Sequence, residues 1–420
     1  MNRLRSLGAS LVAPGLAIAV ALVISALVIV AIGQDPLTAV RVMFDFGDTP
    51  SQQTQAIVTV LNRAVPLFLA GLAVSVAFRM GLFNIGVEGQ YRLATVCAAG
   101  AGAAVALPGP LHLLFVIVVA MVVGAIWAGI VGILKVTRGV SEVISSIMLN
   151  FIAAGLASTL LTGPLRGSPE GASIITTERL PESAWFPDLN GLFTLLGLAQ
   201  PRTELYGFLV VAGIAGIVIS VLIKRTRFGF DLRASGMSPS AASASGVDAR
   251  GMVVKTMLIS GAVAGLIGLP DLLGSTRNYG TEFTAGLGFL GIAVALLGRN
   301  NPLGIAFGAL LFGFLDRAAI PLQFADIPAS VVTIIQGTIV LAVVVANEIA
   351  RRLVRRRAER GNAVSAPSTG DGSTGGGLGP DGGPPPDDGP GGAGPDGGTG
   401  PALSTATGSA GRTDTTGGRA

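Results

Sequence analysis

The chain has 420 residues, 50% of them apolar but only 12% charged and 5% aromatic, against roughly 25% charged residues in an ordinary soluble domain. One cysteine, Cys97, permits no intrachain disulfide, and one histidine, His112, leaves neither a zinc-type ligand cluster nor a cysteine–histidine nucleophile. Residues 361–420 hold six Asp against two Arg, so of the net +4 the first 360 residues carry +8. On a body so poor in other charge, that is the pattern of membrane-flanking loops and not of nucleic-acid binding.

Such a body has too few polar residues to cover a soluble globule, which predicts an all-α polytopic protein embedded in a lipid bilayer. A membrane helix takes roughly 20 mostly apolar residues. Ten stretches qualify, near 10–32, 56–78, 91–107, 111–134, 143–163, 205–223, 254–273, 285–298, 303–320 and 329–350. The third and eighth are short, as tilted, broken or re-entrant segments are, so the count is nine to ten. The first is read as an uncleaved span, because its apolar run exceeds the roughly 7–15 residue core of a signal peptide. Ten spans divide into two fives. Five is odd, so a repeated unit enters the membrane in the opposite sense, predicting inverted halves made of spans 1–5 and 6–10.

With the N-terminus inside, nineteen Lys and Arg fall on the inner side and six on the outer. The positive-inside rule then puts both termini in the cytoplasm. The stretch 164–204, with Trp185, becomes a long outside loop, and 224–253 the longest inside loop. Residues 361–420 contain 20 Gly and 8 Pro but no Phe, Trp, Tyr, Ile or Met. They have almost nothing to bury against the entropy of ordering, and are expected to be a disordered tail on a membrane domain of 1–360.

Between the second and third spans runs Gly81-Leu-Phe-Asn84-Ile-Gly86-Val-Glu88-Gly89-Gln90. Glycines let the backbone bend, and polar side chains at membrane depth need protein or water partners. The segment is either a bend lining an aqueous path or a cytoplasmic turn with Glu88 solvated. On the first reading Glu88 forms hydrogen bonds that hold the bend, so that Gln would replace it and Leu would not. Asn62 and Arg63 precede Pro66 early in the second span, where the arginine either faces a polar path or snorkels to the interface. Asn150, mid-span, faces a path or bonds to a neighbouring helix. Glu142, Asp271 and Asp316 lie nearer span ends, and no pair of acids makes a proton relay.

The inside loop carries Ser238-Pro239-Ser-Ala241-Ala242-Ser243-Ala-Ser-Gly246. Ser238 suits an N-cap, Pro239 a first helical position and Gly246 a stop, predicting a short, smooth helix over 238–246 that docks in a partner's groove or lies on the membrane, the lack of a basic-aromatic pattern counting against the second. A bulky charge at Ala241 or Ala242 is expected to spoil that contact without unfolding the chain. Gly286-Leu-Gly288-Phe-Leu-Gly291 matches a dinucleotide-binding pattern but lies in an apolar span with no acid about 20 positions on, so these glycines are read as helix-packing residues. No nucleotide-binding P-loop occurs, and none of the three lysines (Lys135, Lys224, Lys255) follows a suitable loop.

The 81–90 segment resembles the signature of permease subunits of bacterial ATP-binding-cassette importers for nucleosides, which group with the ribose-type and branched-chain amino acid permeases. The likeness continues through Arg233–Ala242 and Gly246, then Ser260–Gly268, then Gly286–Gly304. The family often has Asn where this chain has Ser238, and the Gly/Pro/Asp tail is outside its pattern. The resemblance implies a non-catalytic transport subunit of a bacterial plasma membrane, importing nucleosides, with ribose-like sugars or branched-chain amino acids as alternatives. It implies a partner ATPase that binds ATP and Mg, a second paralogous permease or a second copy, and an extracytoplasmic substrate-binding lipoprotein. Asn84, Glu88, Gln90, Asn62 and Asn150 are the candidate path residues, and Ser238, Pro239, Ala241, Ala242, Ser243 and Gly246 the candidate coupling helix. No cofactor or metal is expected on this chain. An ion-coupled secondary transporter is the reading from another class, and the lack of mid-span carboxylate pairs argues against it.

Overall fold

A computed structural model describes residues 23–345 of the chain. The first part of the predicted first span, the end of the last and the whole 361–420 tail lie outside those residues. Helix α1, Val23–Ala31, turns by 112° into α2, Pro36–Met43. The turn is set by Asp35, whose carboxylate accepts the Leu37 and Thr38 amides at 3.1 and 3.0 Å, with Pro36 opening the new helix. Helix α3, Pro50–Phe78, starts at a reciprocal cap between Thr49 and Gln52. Then come α4, Val87–Ala103, α5, Gly109–Arg138, and α6, Glu142–Thr162.

A long connection holds the five-residue α7, Gly191–Leu195, before α8, Phe208–Arg225. The loop 224–253, read from sequence as holding one short helix, holds two: α9, Arg227–Met237, and α10, Pro239–Ala244. Next come α11, Ala249–Gly265, and α12, Leu269–Asp271, prolonged to Thr276 by a wider turn. The chain then forms α13, Leu287–Leu297, α14, Pro302–Phe324, and α15, Ser330–Val345.

Each of the ten apolar stretches therefore holds a helix among the described residues. Among the described residues, six helices are long and apolar enough to cross a bilayer: α3, α5, α6, α8, α11 with its continuation, and α14. The bent α1–α2 pair makes a seventh if counted as one span. Among the described residues the remaining three, α4, α13 and α15, are shorter helices. Among the described residues there is no strand, only isolated bridges.

Helix α3 is buried almost all round from Ala64 to Ala77, so it sits at the centre. In contrast, α5 exposes Leu111, Leu114, Val118, Val122, Ile126 and Ile133 along one stripe, as a lipid-facing helix does. Its opposite face is small, and Ala120, Gly124 and Ala128 meet Gly261 and Gly265 of α11. A Cβ on Gly265 would lie 2.1 Å from the Ala120 carbonyl oxygen, and one on Gly124 2.3 Å from that of Gly261. Lipid tails are as apolar as leucine, so close backbone approach at small residues is what draws such helices together. The packing is reciprocal: α11 lies on α4 and α5, and α3 lies on α13 and α14. Each half's second span thus packs on the third and fourth spans of the other, the pattern that a two-fold relation between halves produces.

The connection between α6 and α8 is tied down. Thr177, Leu180 and Thr281 amides donate to Tyr279, Arg277 and Ile175 carbonyls at 2.8, 2.8 and 3.0 Å. Arg277 and Arg179 both lie over the Trp185 ring. His112 is a structural residue, with ring nitrogens 2.9 Å from Ser183 Oγ and from the Gly102 carbonyl.

Candidate translocation site

The bend between α3 and α4 is closed by its own polar residues. Asn84 Nδ2 donates to Gln90 Oε1 at 3.1 Å and Gln90 Nε2 donates back to Asn84 Oδ1 at 2.9 Å. Asn84 Nδ2 also donates to Ser260 Oγ of α11 at 2.9 Å, and Ser260 in turn donates to the Ala73 carbonyl at 2.7 Å. Asn150 reaches in from α6: its Oδ1 accepts the Gly89 amide at 2.9 Å and its Nδ2 donates to the Ile85 carbonyl at 3.0 Å. A buried amide left unpaired is costly, and here each has partners. Four of the five candidate path residues are thus brought into one cluster and engaged in internal hydrogen bonds.

Glu88, the fourth of them, joins the halves. It lies in the first turn of α4, and its carboxylate also caps α13: Oε1 accepts the Gly286 amide at 2.8 Å and Oε2 that of Gly288 at 3.0 Å. The N-termini of two helices thus share one negative charge, which their dipoles favour. Gly286 has φ +89°, open to glycine, and a Cβ on Gly288 would lie 2.4 Å from the Glu88 nitrogen. Gly291 packs on Ala70 of α3 in the same way. Of the three glycines read as packing residues, Gly288 and Gly291 provide close approach, whereas Gly286 provides backbone conformation. Tyr91 donates its hydroxyl to the Thr284 carbonyl at 2.8 Å and lies 3.2 Å from Glu88 Oε1. The segment 284–288 is therefore pinned to α4.

That segment forms one wall of a cavity of about 410 Å³. The other walls are α3 at Asn62 and Arg63, the residues before α8 at Thr203 and Tyr206, the end of α12 at Asp271, α14 at Asp316 and α15 at Gln336. Asn62, the fifth candidate, is the one that lines it. Its side chain also holds the wall, donating to the Glu204 carbonyl at 2.8 Å and accepting the Tyr206 amide at 3.0 Å. Arg63 pairs with Asp316 at 3.4 Å, both about half exposed. Asp271, Glu282 and Asp316 face the cavity against one guanidinium, and Tyr206 and Phe283 add aromatic faces. Tyr206, Phe283 and Gln336 escape a sequence reading. The signal that was available lay in Arg63, Asp271 and Asp316, ionisable groups within apolar spans.

At the opposite end of α3 lies a second groove, of about 750 Å³, lined by Met80, Leu82, Lys135, Pro239, Ser243 and Arg250 among others. Helix α10 forms one edge. Ser238 Oγ caps it, accepting the Ala241 amide at 3.3 Å, Pro239 opens it, and Gly246 ends it at φ +83°. It is shorter than the predicted 238–246. Ala241 and Ser243 are exposed, but Ala242 is 3% exposed and points into its own chain, so a charge there disturbs folding and not only docking. Behind it, Arg79 donates to the Asn300 carbonyl and Arg233 to that of Ile223. Burial, then the neighbouring Arg233, pushes Arg79 below the ordinary guanidinium value.

Residues 56–344 match the family described as branched-chain amino acid transport system / permease component. The chain is 36% identical over 286 residues to the guanosine ABC transporter permease protein of Bacillus subtilis, covering 67% of this chain and 79% of that one. It is 34% identical over 366 residues to the glucose ABC transporter permease protein of Haloferax volcanii, covering 85% and 93%. It is 29% identical over 341 residues to the nucleoside ABC transporter permease protein of Lactococcus lactis, covering 79% and 90%. The matched range stops short of the 361–420 tail. With its bundle of apolar helices, its α13 capped by Glu88 of α4 and these relatives, the chain belongs to that permease family: it is a multi-pass, non-catalytic membrane component of an ATP-binding-cassette transporter, working with a separate ATPase.

Proposed function

We propose that the chain is one of two permease subunits of a nucleoside importer, and that substrate passes through the cavity walled by α3, α12, α14 and the 282–290 segment. The observation that carries this reading is the cavity's lining. Hydroxyl, amide and carboxylate groups suit the hydroxyls of a ribose, and Tyr206 and Phe283 offer faces on which a base stacks. Three carboxylates against one guanidinium disfavour anionic ligands. The guanosine and nucleoside permeases among the relatives agree with this.

In this reading both termini face the cytoplasm, as the nineteen-to-six distribution of Lys and Arg supports. Helix α10 receives the movement of an ATPase subunit, which holds ATP and Mg. A second, paralogous permease completes the membrane part, and a lipoprotein delivers substrate from outside. The glucose permease of Haloferax volcanii motivates a sugar as the second reading. The test is uptake of labelled guanosine and of labelled glucose by the complete transporter in proteoliposomes with ATP inside. Saturable, ATP-dependent guanosine uptake that excess glucose does not inhibit is the expected result. Glucose uptake without guanosine uptake refutes the nucleoside reading.

A further inference from the structure

From Leu189 to Pro201 the chain contains no charged residue, although Asp188 and Arg202 flank it. This stretch includes α7 and lies in the connection between α6 and α8, where a solvated loop would be polar. Four leucines within seven residues are exposed: Leu192 46%, Leu195 82%, Leu196 60% and Leu198 51%. Phe193 turns the other way and is buried with Val58 and Leu205, and Leu61, Leu189 and Leu209 pack around them.

Those neighbours give the stretch a depth. The first turns of α3 are polar through Gln55, and its apolar run begins at Ala56. Val58 and Leu61 lie just inside that run, and Leu209 opens the apolar run of α8. Phe193 therefore sits level with the point at which two spans enter hydrocarbon. On either side, Ile57 of α3 and Val210 and Ile214 of α8 are exposed, so the leucines continue a lipid-facing surface. Five backbone donors of the stretch are satisfied within it, as hydrocarbon requires. The Leu192, Phe193, Leu196, Gly197 and Leu198 amides donate to the Leu189, Asn190, Leu192, Thr194 and Phe193 carbonyls at 2.8–3.2 Å.

We propose that residues 191–198 lie in the plane of the membrane interface, with these four leucines buried in the lipid of the leaflet at which α3 begins. The stretch is an in-plane anchor of the kind an apolar face and polar flanks produce. It is coupled to the cavity. Asn190 Oδ1 accepts the Leu205 amide at 2.9 Å, and Gln55 holds Thr203 through a side-chain bond at 2.6 Å and a backbone bond at 2.8 Å. Leu205 precedes Tyr206, so the anchor sets the height of that wall against the bilayer.

The test places an environment-sensitive nitrobenzoxadiazole label on Leu195→Cys, and separately on Glu170→Cys in the same connection, both in a Cys97→Ala background. Each assembled transporter is reconstituted into phosphatidylcholine vesicles, with its size-exclusion profile checked against the parent. Nitroxide-bearing phosphatidylcholine is expected to quench position 195 several-fold more than position 170, and aqueous iodide to do the reverse. Iodide quenching at 195 as strong as at 170, with no nitroxide quenching at either, overturns the proposal. If added soluble substrate-binding protein then shields 195 from iodide, the leucines are a protein-docking face.

Discussion

Glu88→Gln is the substitution that best separates the structure from its sequence. By size and polarity it is mild, and a residue that merely holds a local bend tolerates it. In the structure both carboxylate oxygens are acceptors, one for the Gly286 amide and one for that of Gly288. Glutamine has one carbonyl oxygen, and its amide nitrogen would face a backbone N–H, donor against donor. The loss is one charge-assisted hydrogen bond, worth about 1.5–3 kcal/mol, and one unpaired buried donor, costing about 1–3 kcal/mol. Because these overlap, we expect a net destabilisation of about 3 kcal/mol, a large part of a typical stability of about 5–15 kcal/mol. Glu88→Asp keeps the charge but is one methylene short of bridging both amides, and is expected to fall between. The measurement is thermal unfolding of the purified complex in detergent, paired with ATP-driven uptake. The expected result is a lower midpoint and weakened uptake, since Thr284, Ala285 and Leu287 of the cavity wall follow the 284–288 segment. An unchanged midpoint with normal uptake would refute the shared-cap reasoning.

Asn150→Ala leaves the Gly89 amide and the Ile85 carbonyl without their partner and is expected to cost about 1–3 kcal/mol, read as a lowered unfolding midpoint. Gly265→Ala puts a methyl 2.1 Å from the Ala120 carbonyl oxygen and is expected to abolish stable accumulation in membranes. The control is Gly155→Ala, where a Cβ meets nothing within 4 Å. Ala241→Arg, on the exposed side of α10, is expected to leave folding intact and to abolish co-purification with the ATPase or ATP-driven uptake. Ala242→Arg, on its buried side, is expected to lower the yield of folded protein itself. Arg63→Gln removes an ion pair that is half exposed at both ends, so stability is expected to change by less than about 1 kcal/mol, while the uptake KM rises.

Composition and local pattern alone establish the class of this protein. Runs of apolar residues locate the helices because a span must satisfy its backbone internally over a set length. Ser238, Pro239 and Gly246 mark α10 because capping is decided within a few residues of chain. The bend at 81–90 is visible for the same reason, as glycines and amides between two apolar runs. The sequence could not show what Glu88 touches, since its partners lie 198 and 200 residues away. Nor could it decide between a path and a turn, because Asn84, Gln90 and Asn150 are polar in either case and only packing reveals that they bond to one another. Helix α9 leaves little trace in the sequence because it is barely apolar and is placed by the packing of Gly236 on Arg79 and Met80 and by the bond from Arg233 to the Ile223 carbonyl. Ala241 and Ala242 are chemically identical neighbours, and only the tertiary fold turns one outward and the other in. The cavity is likewise tertiary: Asn62, Tyr206, Asp271 and Asp316 belong to separate helices and loops, and they acquire a common purpose only where the two halves meet.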